Sequence, residues 1–235
     1  MSTRADLNHL PVPKVLLFDW DGTLVDTHPV LAAAMNEALK AFGKDAWTFE
    51  QWSNWLGQSA RDVFPDLFGE DWEEARRIYL DAYSMYHLER LELKPGAADL
   101  MQFLASTTVY LGVVSNKTGD FLRCEVTHLN WERHFGHVIG AGDSDRDKPA
   151  PDPVHAALTR SDHVAGPDVW FVGDNAVDVD CGKAANCTTI LIGDGYPDAQ
   201  PDHRLTDLKA LQILISGTFQ RSQIAARLTR FRETL

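Results

Sequence analysis

Apolar and polar positions along the chain predict an alternating α/β region and one all-helical segment. Residues 15–18 form a short, wholly apolar run, which is typical of a strand covered on both faces of a parallel sheet. Beyond residue 94, strand and helix patterns alternate. Strands are predicted at 109–114, 137–141, 169–172 and 188–192, and helices at 99–104, 120–131, 153–159 and 177–185. This order predicts an α/β fold with a doubly wound, Rossmann-like parallel sheet.

Residues 27–93 show only helical periodicity. Apolar side chains from 31 to 42 follow the spacing of three, four and seven that marks one face of a helix. Residues 48–51 have the pattern of a capping box, which predicts the start of a second helix that ends at Gly57. Two further helices are predicted at 61–68 and 71–92. The segment is therefore a helical module without a strand pattern.

The two ends of the chain differ in character. Residues 1–13 contain two prolines and predict a loose leader before the first strand. Residues 216–235 contain four arginines and one glutamate, and we expect a terminal helix that packs on the core. A basic arm that binds a partner is the alternative for this segment.

Composition narrows the classes of partner. The net charge of -12 disfavours nucleic acid and anionic membranes as partners, because a polyanion would be repelled. No apolar run has the length of a membrane span, and the first residues lack a signal-peptide pattern, so we expect a cytoplasmic protein. The cysteines have no C-x-x-C spacing and are expected to be reduced and mostly buried. They are Cys124, Cys181 and Cys187.

Two carboxylates follow the first predicted strand. Side chains two apart in an extended chain point the same way, so Asp19 and Asp21 can share a site while Trp20 turns into the packing. Gly22 lets the backbone pass close to a bound group. Two acids so close repel each other unless a cation or a proton separates them, and magnesium bound by oxygen ligands is the usual solution. One carboxylate could then attack phosphorus while its neighbour moves protons. The alternative is a solvated acidic turn.

Three later motifs place polar groups at the ends of neighbouring strands. Ser115 follows a strand, and its hydroxyl could hold phosphate oxygens or simply cap the next helix. Lys148 lies in a loop stiffened by three prolines and could direct its ammonium inward, although a solvated lysine would have the same sequence. Asp174 ends a strand, and Asp178 lies one helical turn later on the same side, while Asp180 points away.

In this order and spacing, the motifs Asp19-x-Asp21-Gly-Thr, Ser115, Lys148 and Gly-Asp174-x-x-x-Asp178 resemble the haloacid dehalogenase superfamily. The helical module resembles the cap of the branch that includes phosphoglycolate phosphatase and beta-phosphoglucomutase. The resemblance implies an α/β core domain at 1–26 and 94–235 and a helical cap domain at 27–93. Asn175 departs from the serine or threonine that often follows the fourth-motif Gly-Asp.

The resemblance implies a phosphatase that acts on a small-molecule phosphate ester. Asp19 would attack phosphorus to give an aspartyl-phosphate, and Asp21 would protonate the leaving oxygen and then activate water. Mg²⁺ would be held by the Asp19 carboxylate, the Asp21 carbonyl and Asp174, with Asp178 tuning the metal or orienting Lys148. The phosphoryl oxygens would be held by Ser115, Lys148 and backbone amides near Thr23 and Asn116.

The cap is expected to select the substrate. Most of its aromatic side chains are interpreted as its own small core, with one or two lining the cleft. Arg61 could bind a substrate carboxylate, or it could be an exposed arginine at a helix start.

Several other functions compete with the phosphatase hypothesis. A phosphosugar mutase with the same core is the nearest alternative, and only the cap would distinguish the two. Asp21 disfavours a haloacid dehalogenase, which needs no second acid, and fits an esterase better than a phosphonatase, which needs a cap amine. A phosphorylation-dependent receiver would be about half this length and lack a cap. A non-catalytic metal-binding or scaffold protein on this fold remains an alternative.

Overall fold

The computed structural model describes residues 10–48, 51, 55 and 57–233, with side chains described as far as residue 224. Its main sheet has six parallel strands in the order β5-β4-β1-β6-β7-β8, which confirms the Rossmann-like α/β prediction. The strands are β1 (Val15–Phe18), β4 (Tyr110–Thr118), β5 (His137–Ala141), β6 (Val169–Gly173), β7 (Thr188–Ile192) and β8 (His203–Leu205). The buried β1 lies in the middle of the sheet, between β4 and β6.

Helices cover both faces of this sheet. Those of the core are α4 (Ala97–Leu104), α5 (Gly119–His128), α6 (Asp152–Leu158), α7 (Ala176–Ala184) and α8 (Leu208–Glu233). One apolar cluster packs Phe18 and Trp20 against α4, α5 and α8, and a second packs Leu17 and Phe171 against α6 and α7. Alternate residues of β1 therefore enter opposite layers, as the pleat of a strand requires. Among the described helices, none is both long and apolar enough to cross a membrane.

The inserted module is helical, as predicted. It contains α1 (His28–Ala41), α2 (Ala60–Phe68), a 3₁₀ turn (Gly69–Asp71) and α3 (Trp72–Tyr86). The cap has its own apolar core, which matches the interpretation of its aromatic residues. Phe64 and Phe68 are buried in it, and the aromatic side chains that pack against it include Trp47, Trp55, Trp72 and Tyr79. Thr48 and Gln51 exchange the two hydrogen bonds of the predicted capping box, but most of the helix expected after it lies outside the described residues.

Several features of the described residues differ from the prediction. The helix expected to reach residue 92 ends at Tyr86, and an antiparallel ribbon, β2 (Val25–Asp26) with β3 (Glu92–Leu93), joins the ends of the module. Two-residue strands are too short to show a periodicity, so the sequence did not reveal them. Strand β8 is also short and polar, and it was missed. Helix α8 begins at Leu208, eight residues earlier than expected, where the Asp207 carboxylate accepts from the backbone N–H of Ala210.

Strand β4 continues past Val114 to Thr118, with a register shift against β5. Ser115 therefore lies within an irregular strand rather than at a helix start, and its hydroxyl accepts from the backbone N–H of Lys117 at 3.2 Å. Cys181 and Cys187 are buried free thiols, as expected, whereas Cys124 is exposed.

Candidate active site

The predicted acids and lysine converge at the carboxyl edge of the sheet. Asp19 follows β1, Asp174 follows β6, and Lys148 enters from the loop between β5 and α6. The Lys148 Nζ atom donates to Asp19 Oδ1 and to Asp178 Oδ1, each at 2.7 Å. Lys148 is 3% exposed and Asp19 is 5% exposed, so this ion-pair network is buried. The stiff proline loop thus directs the ammonium inward, which resolves the alternative of a solvated lysine.

Three carboxylates surround a position suited to a cation. One oxygen each of Asp19, Asp174 and Asp178 lies within 4.8 Å of the others. Thr23 Oγ1 donates to Asp174 Oδ1 at 3.0 Å and fixes that side chain. Gly22 has a φ of 84°, and a Cβ atom there would overlap the Asp174 carboxylate. Glycine is therefore required at this turn both for its conformation and for the close approach of the acid.

Burial and mutual repulsion disfavour the ionised forms of these acids in the metal-free site. Burial raises the pKa of Asp19 to about 7; the charge of Asp178 adds to this shift and Lys148 opposes it. Burial, followed by the charge of Asp19, raises the pKa of Asp174 to about 7, against the hydrogen bond from Thr23. Burial disfavours the charged form of Lys148 and by itself would lower its pKa. The negative charges of Asp178 and Asp19 outweigh burial, so the pKa of Lys148 is raised. The site therefore holds more negative charge than its single lysine balances.

The donor set fits magnesium. When all three carboxylates are ionised, they and the one ammonium carry a net charge of about -2, and the carboxylate donors are oxygen atoms, which a hard divalent cation prefers. Asp178 is the least available of the three acids as a metal ligand, because both of its oxygens already accept hydrogen bonds. Its Oδ1 atom accepts from Lys148, and its Oδ2 atom accepts from the backbone N–H of Asn175 at 3.0 Å.

Asn175 caps helix α7. Its side-chain oxygen accepts from the backbone N–H of Val177 at 3.1 Å, while Asp178 closes the reciprocal bond of a capping box. Asparagine and serine are similarly good at this position, so the departure from the family pattern is conservative in physical terms. The Asn175 amide also donates to the Tyr196 hydroxyl at 2.6 Å.

The Asn116 side chain joins three segments. Its amide group donates to the carbonyls of Lys148 at 2.9 Å and of Gly57 at 2.8 Å, and its oxygen accepts from the Lys148 backbone N–H at 2.9 Å. The side chain therefore holds the lysine loop and ties it to the cap. The predicted contact of the neighbouring backbone with a phosphoryl group stays a prediction.

Asp21 contacts polar side chains that the sequence analysis did not identify as its neighbours. Its Oδ1 atom accepts from Thr27 Oγ1 and lies 2.7 Å from Lys117 Nζ. Lys117 in turn donates to Glu125 Oε2 at 2.7 Å. Glu125 occupies the same helix face as Leu122 and Val126, so a charged residue among core positions was the available signal.

The cavity between cap and core has a volume of about 90 Å³. Asp19, Asp21, Ser115, Lys148 and Asp174 line it from the core. From the cap it is lined by side chains that include Trp55, Gln58, Tyr79 and Tyr83.

Arg61 does not line this cavity. Its Nε atom lies 2.6 Å from Asp147 Oδ2, in an ion pair between cap and core. The substrate contact expected of Arg61 stays a prediction, and this geometry favours a role in docking the cap.

Acids and a lysine gathered at the carboxyl edge of a Rossmann-like sheet, under a helical module, define a hydrolase of the haloacid dehalogenase type. The family model for haloacid dehalogenase-like hydrolases matches residues 16–192. The chain belongs to this family, which confirms the expected superfamily, fold and enzyme class.

Two phosphoglycolate phosphatases are similar to this chain in sequence. Phosphoglycolate phosphatase 1 of Pseudomonas aeruginosa is 31% identical over 203 residues, which are 81% of this chain and 73% of that protein. Phosphoglycolate phosphatase of Shigella boydii is 31% identical over 204 residues, 76% of this chain and 81% of that protein. The structure of a haloacid dehalogenase-like family hydrolase from Streptococcus pneumoniae has a TM-score of 0.73 at 22% identity, covering 85% of this chain and 97% of that one, and shares the fold.

Proposed function

We propose that this protein is a magnesium-dependent phosphatase that hydrolyses a small phosphate monoester, with phosphoglycolate as the leading substrate, through an aspartyl-phosphate. The buried group of Asp19, Lys148 and Asp174 carries this proposal, because it combines a nucleophile, a fixed cation and a place for a metal. The similarity to phosphoglycolate phosphatases supports the choice of substrate.

The chemistry proceeds in two steps. An Asp19 oxygen attacks phosphorus, a new O–P bond forms, and the bond from phosphorus to the leaving oxygen breaks as Asp21 gives that oxygen its proton. Asp21 then takes a proton from water, whose oxygen forms a bond to phosphorus as the bond from phosphorus to Asp19 breaks, which releases inorganic phosphate and restores Asp19. Lys148 and Ser115 neutralise and orient the phosphoryl oxygens throughout.

Magnesium would be held by the Asp19 carboxylate, the Asp21 carbonyl and Asp174. When bound, it offsets the negative charge of the acids and of the phosphoryl group. Asp178 keeps Lys148 in place through their 2.7 Å contact.

A phosphate-release screen across small phosphorylated metabolites, with magnesium and with a chelator, tests this proposal. We expect release from simple monoesters, fastest for 2-phosphoglycolate or a similarly small ester, with no bisphosphate activator and at least a ~100-fold loss without the metal. Activity only in the presence of a sugar bisphosphate would instead indicate a mutase, which protects its phosphoenzyme from water.

Magnesium is expected to stabilise the protein more at high pH than at low pH. In the metal-free fold the pKa of both Asp19 and Asp174 is raised to about 7, above the unfolded value, so stability falls as pH rises towards 7. Magnesium replaces those protons. At ~100 times its dissociation constant it should add ~2.7 kcal/mol near pH 8, a rise of roughly 5–10 °C in Tm, and much less near pH 5.

Thermal unfolding with and without the metal measures this difference. Asp174→Asn provides the control, because it removes one repelling charge. The variant should be more stable than the wild type in the metal-free state near pH 8, yet gain little from magnesium. An equal magnesium shift at both pH values would contradict the assignment of these ligands.

A further inference from the structure

A buried cluster of hydrogen-bonded polar side chains lies behind Asp21 and consists of Trp20, Tyr83, His87, Lys117 and Glu125. Glu125 is completely buried, and each of its oxygens accepts two contacts. Oε2 accepts from Trp20 Nε1 and from Lys117 Nζ, both at 2.7 Å. Oε1 accepts from the Tyr83 hydroxyl at 2.7 Å and lies 2.9 Å from His87 Nδ1, which carries the proton because a carboxylate can only accept.

Glu125 is ionised in this setting. Burial alone would raise its pKa, but the charge of Lys117 and the hydrogen bonds from His87, Lys117 and Tyr83 outweigh it and leave the pKa lowered. A carboxylate with all four acceptor positions filled is held in one orientation. Glu125 is therefore a rigid anchor for the lysine beside it.

The ammonium group of Lys117 has no N–H donor left for a substrate. Its Nζ atom lies 2.7 Å from each of three oxygens, in Asp21, Glu125 and Tyr83. An ammonium group has three N–H donors, so these three oxygens account for all of them. The side chain is 3% exposed. Although Lys117 lies at the cavity, its contacts all point to the protein rather than to a ligand.

The cluster spans the boundary between cap and core. Tyr83 lies in the last turn of α3 in the cap and His87 directly follows that helix, whereas Glu125 comes from α5 and Lys117 from β4 in the core. The Tyr83 hydroxyl accepts from Lys117 and donates to Glu125, so it joins both charged groups. Removal of α3 from the core would leave Lys117 one acceptor short and Glu125 two donors short.

Resting on the proposed phosphatase function, we infer that Lys117 is a positioning residue for the general acid Asp21, that Glu125 holds Lys117 in place, and that Tyr83 completes the arrangement when α3 lies against the core. Lys117 and Thr27 both contact Asp21 Oδ1. This leaves Oδ2 as the oxygen that can carry the proton to the leaving group. The acid is thus oriented fully only in the closed form.

The test compares two esters that need the acid to different degrees. An alkyl leaving group departs as a strongly basic alkoxide and requires protonation, whereas 4-nitrophenolate is a weak base and leaves without it. The quantity measured is kcat/KM, because it reports the steps up to formation of the phosphoenzyme and excludes the hydrolysis that both esters share. The alkyl ester is 2-phosphoglycolate, or the alkyl phosphate that the wild type hydrolyses fastest.

For Lys117→Met we expect kcat/KM to fall about 100-fold with the alkyl ester and by less than ~5-fold with 4-nitrophenyl phosphate. Tyr83→Phe should show the same selectivity with a smaller loss, about 10-fold on the alkyl ester. Lys183→Met is the matched control, since Lys183 is an exposed lysine on α7, and both esters should react as with the wild type.

Lys117→Met leaves the buried Glu125 carboxylate without its cation and could prevent folding. The double variant Lys117→Met/Glu125→Gln removes both charges and avoids this problem. We expect the same selectivity from it. Circular dichroism establishes folding for each variant. Equal losses on the two esters in a folded variant would overturn the inference and leave the phosphatase function intact. A wild type inactive on both esters would overturn the proposed function, and this inference with it.

Discussion

Asp19→Asn is expected to abolish turnover while the fold is retained. An amide cannot form the acyl phosphate, so kcat should fall by ~10⁴-fold or more, the scale seen when the nucleophile of a covalent mechanism is removed. The fold should survive because the pKa of Asp19 is raised to about 7 in the metal-free state, so loss of its charge relieves repulsion. Lys148 still keeps its contact with Asp178.

Phosphate release measures this loss, and mass spectrometry of acid-quenched samples tests its cause. The wild type should carry a phosphoryl group on Asp19 during turnover, and the variant should carry none. Asp180→Asn is the matched control, because Asp180 is an exposed acid on the same helix as Asp178 and should be dispensable. Residual activity of Asp19→Asn above about a hundredth of wild type would refute the nucleophile assignment.

Lys148→Met is expected to lower kcat by ~10³-fold and to destabilise the protein. The ammonium is the fixed cation nearest the nucleophile, and loss of one such group from a buried site costs on this scale. The variant also leaves Asp19 and Asp178 as buried carboxylates without their shared partner, which costs about 3–5 kcal/mol.

A second substitution separates the two effects. Lys148→Met/Asp178→Asn removes one of the stranded charges, so denaturant unfolding should show that part of the lost stability returns. Activity should remain at the level of Lys148→Met, since the cation is still missing. Recovery of activity together with stability would mean that Lys148 acts only by maintaining the fold.

Local patterns predicted the parts of this protein that depend on neighbours in sequence. The apolar run of β1 has the bounds expected from residues 15–18, because a strand buried on both faces leaves no polar position in its sequence. The convergence of Asp19, Asp174 and Lys148 was also predictable, since parallel strands present their carboxyl ends at one edge. Helix α3 was placed correctly but its end was not, because the ribbon that follows depends on pairing with Asp26.

The contacts made by long side chains were not predictable in the same way. Arg61 was a candidate for the substrate because of its position after Gly57, yet its partner, Asp147, is distant in sequence. Glu125 and Lys117 meet Tyr83 of the cap only after the cap has folded onto the core. A lysine or glutamate has the same local pattern whether it faces solvent or a buried partner.

By itself, the sequence determined the α/β class, the inserted helical module and the set of acids at the strand ends, because hydrophobic periodicity and strand direction are local properties of the chain. Only the tertiary structure decided how those groups are paired. It assigned Asp178 to Lys148, Arg61 to Asp147 and Lys117 to Asp21, since each pair joins segments far apart in sequence and burial sets the strength of their interaction.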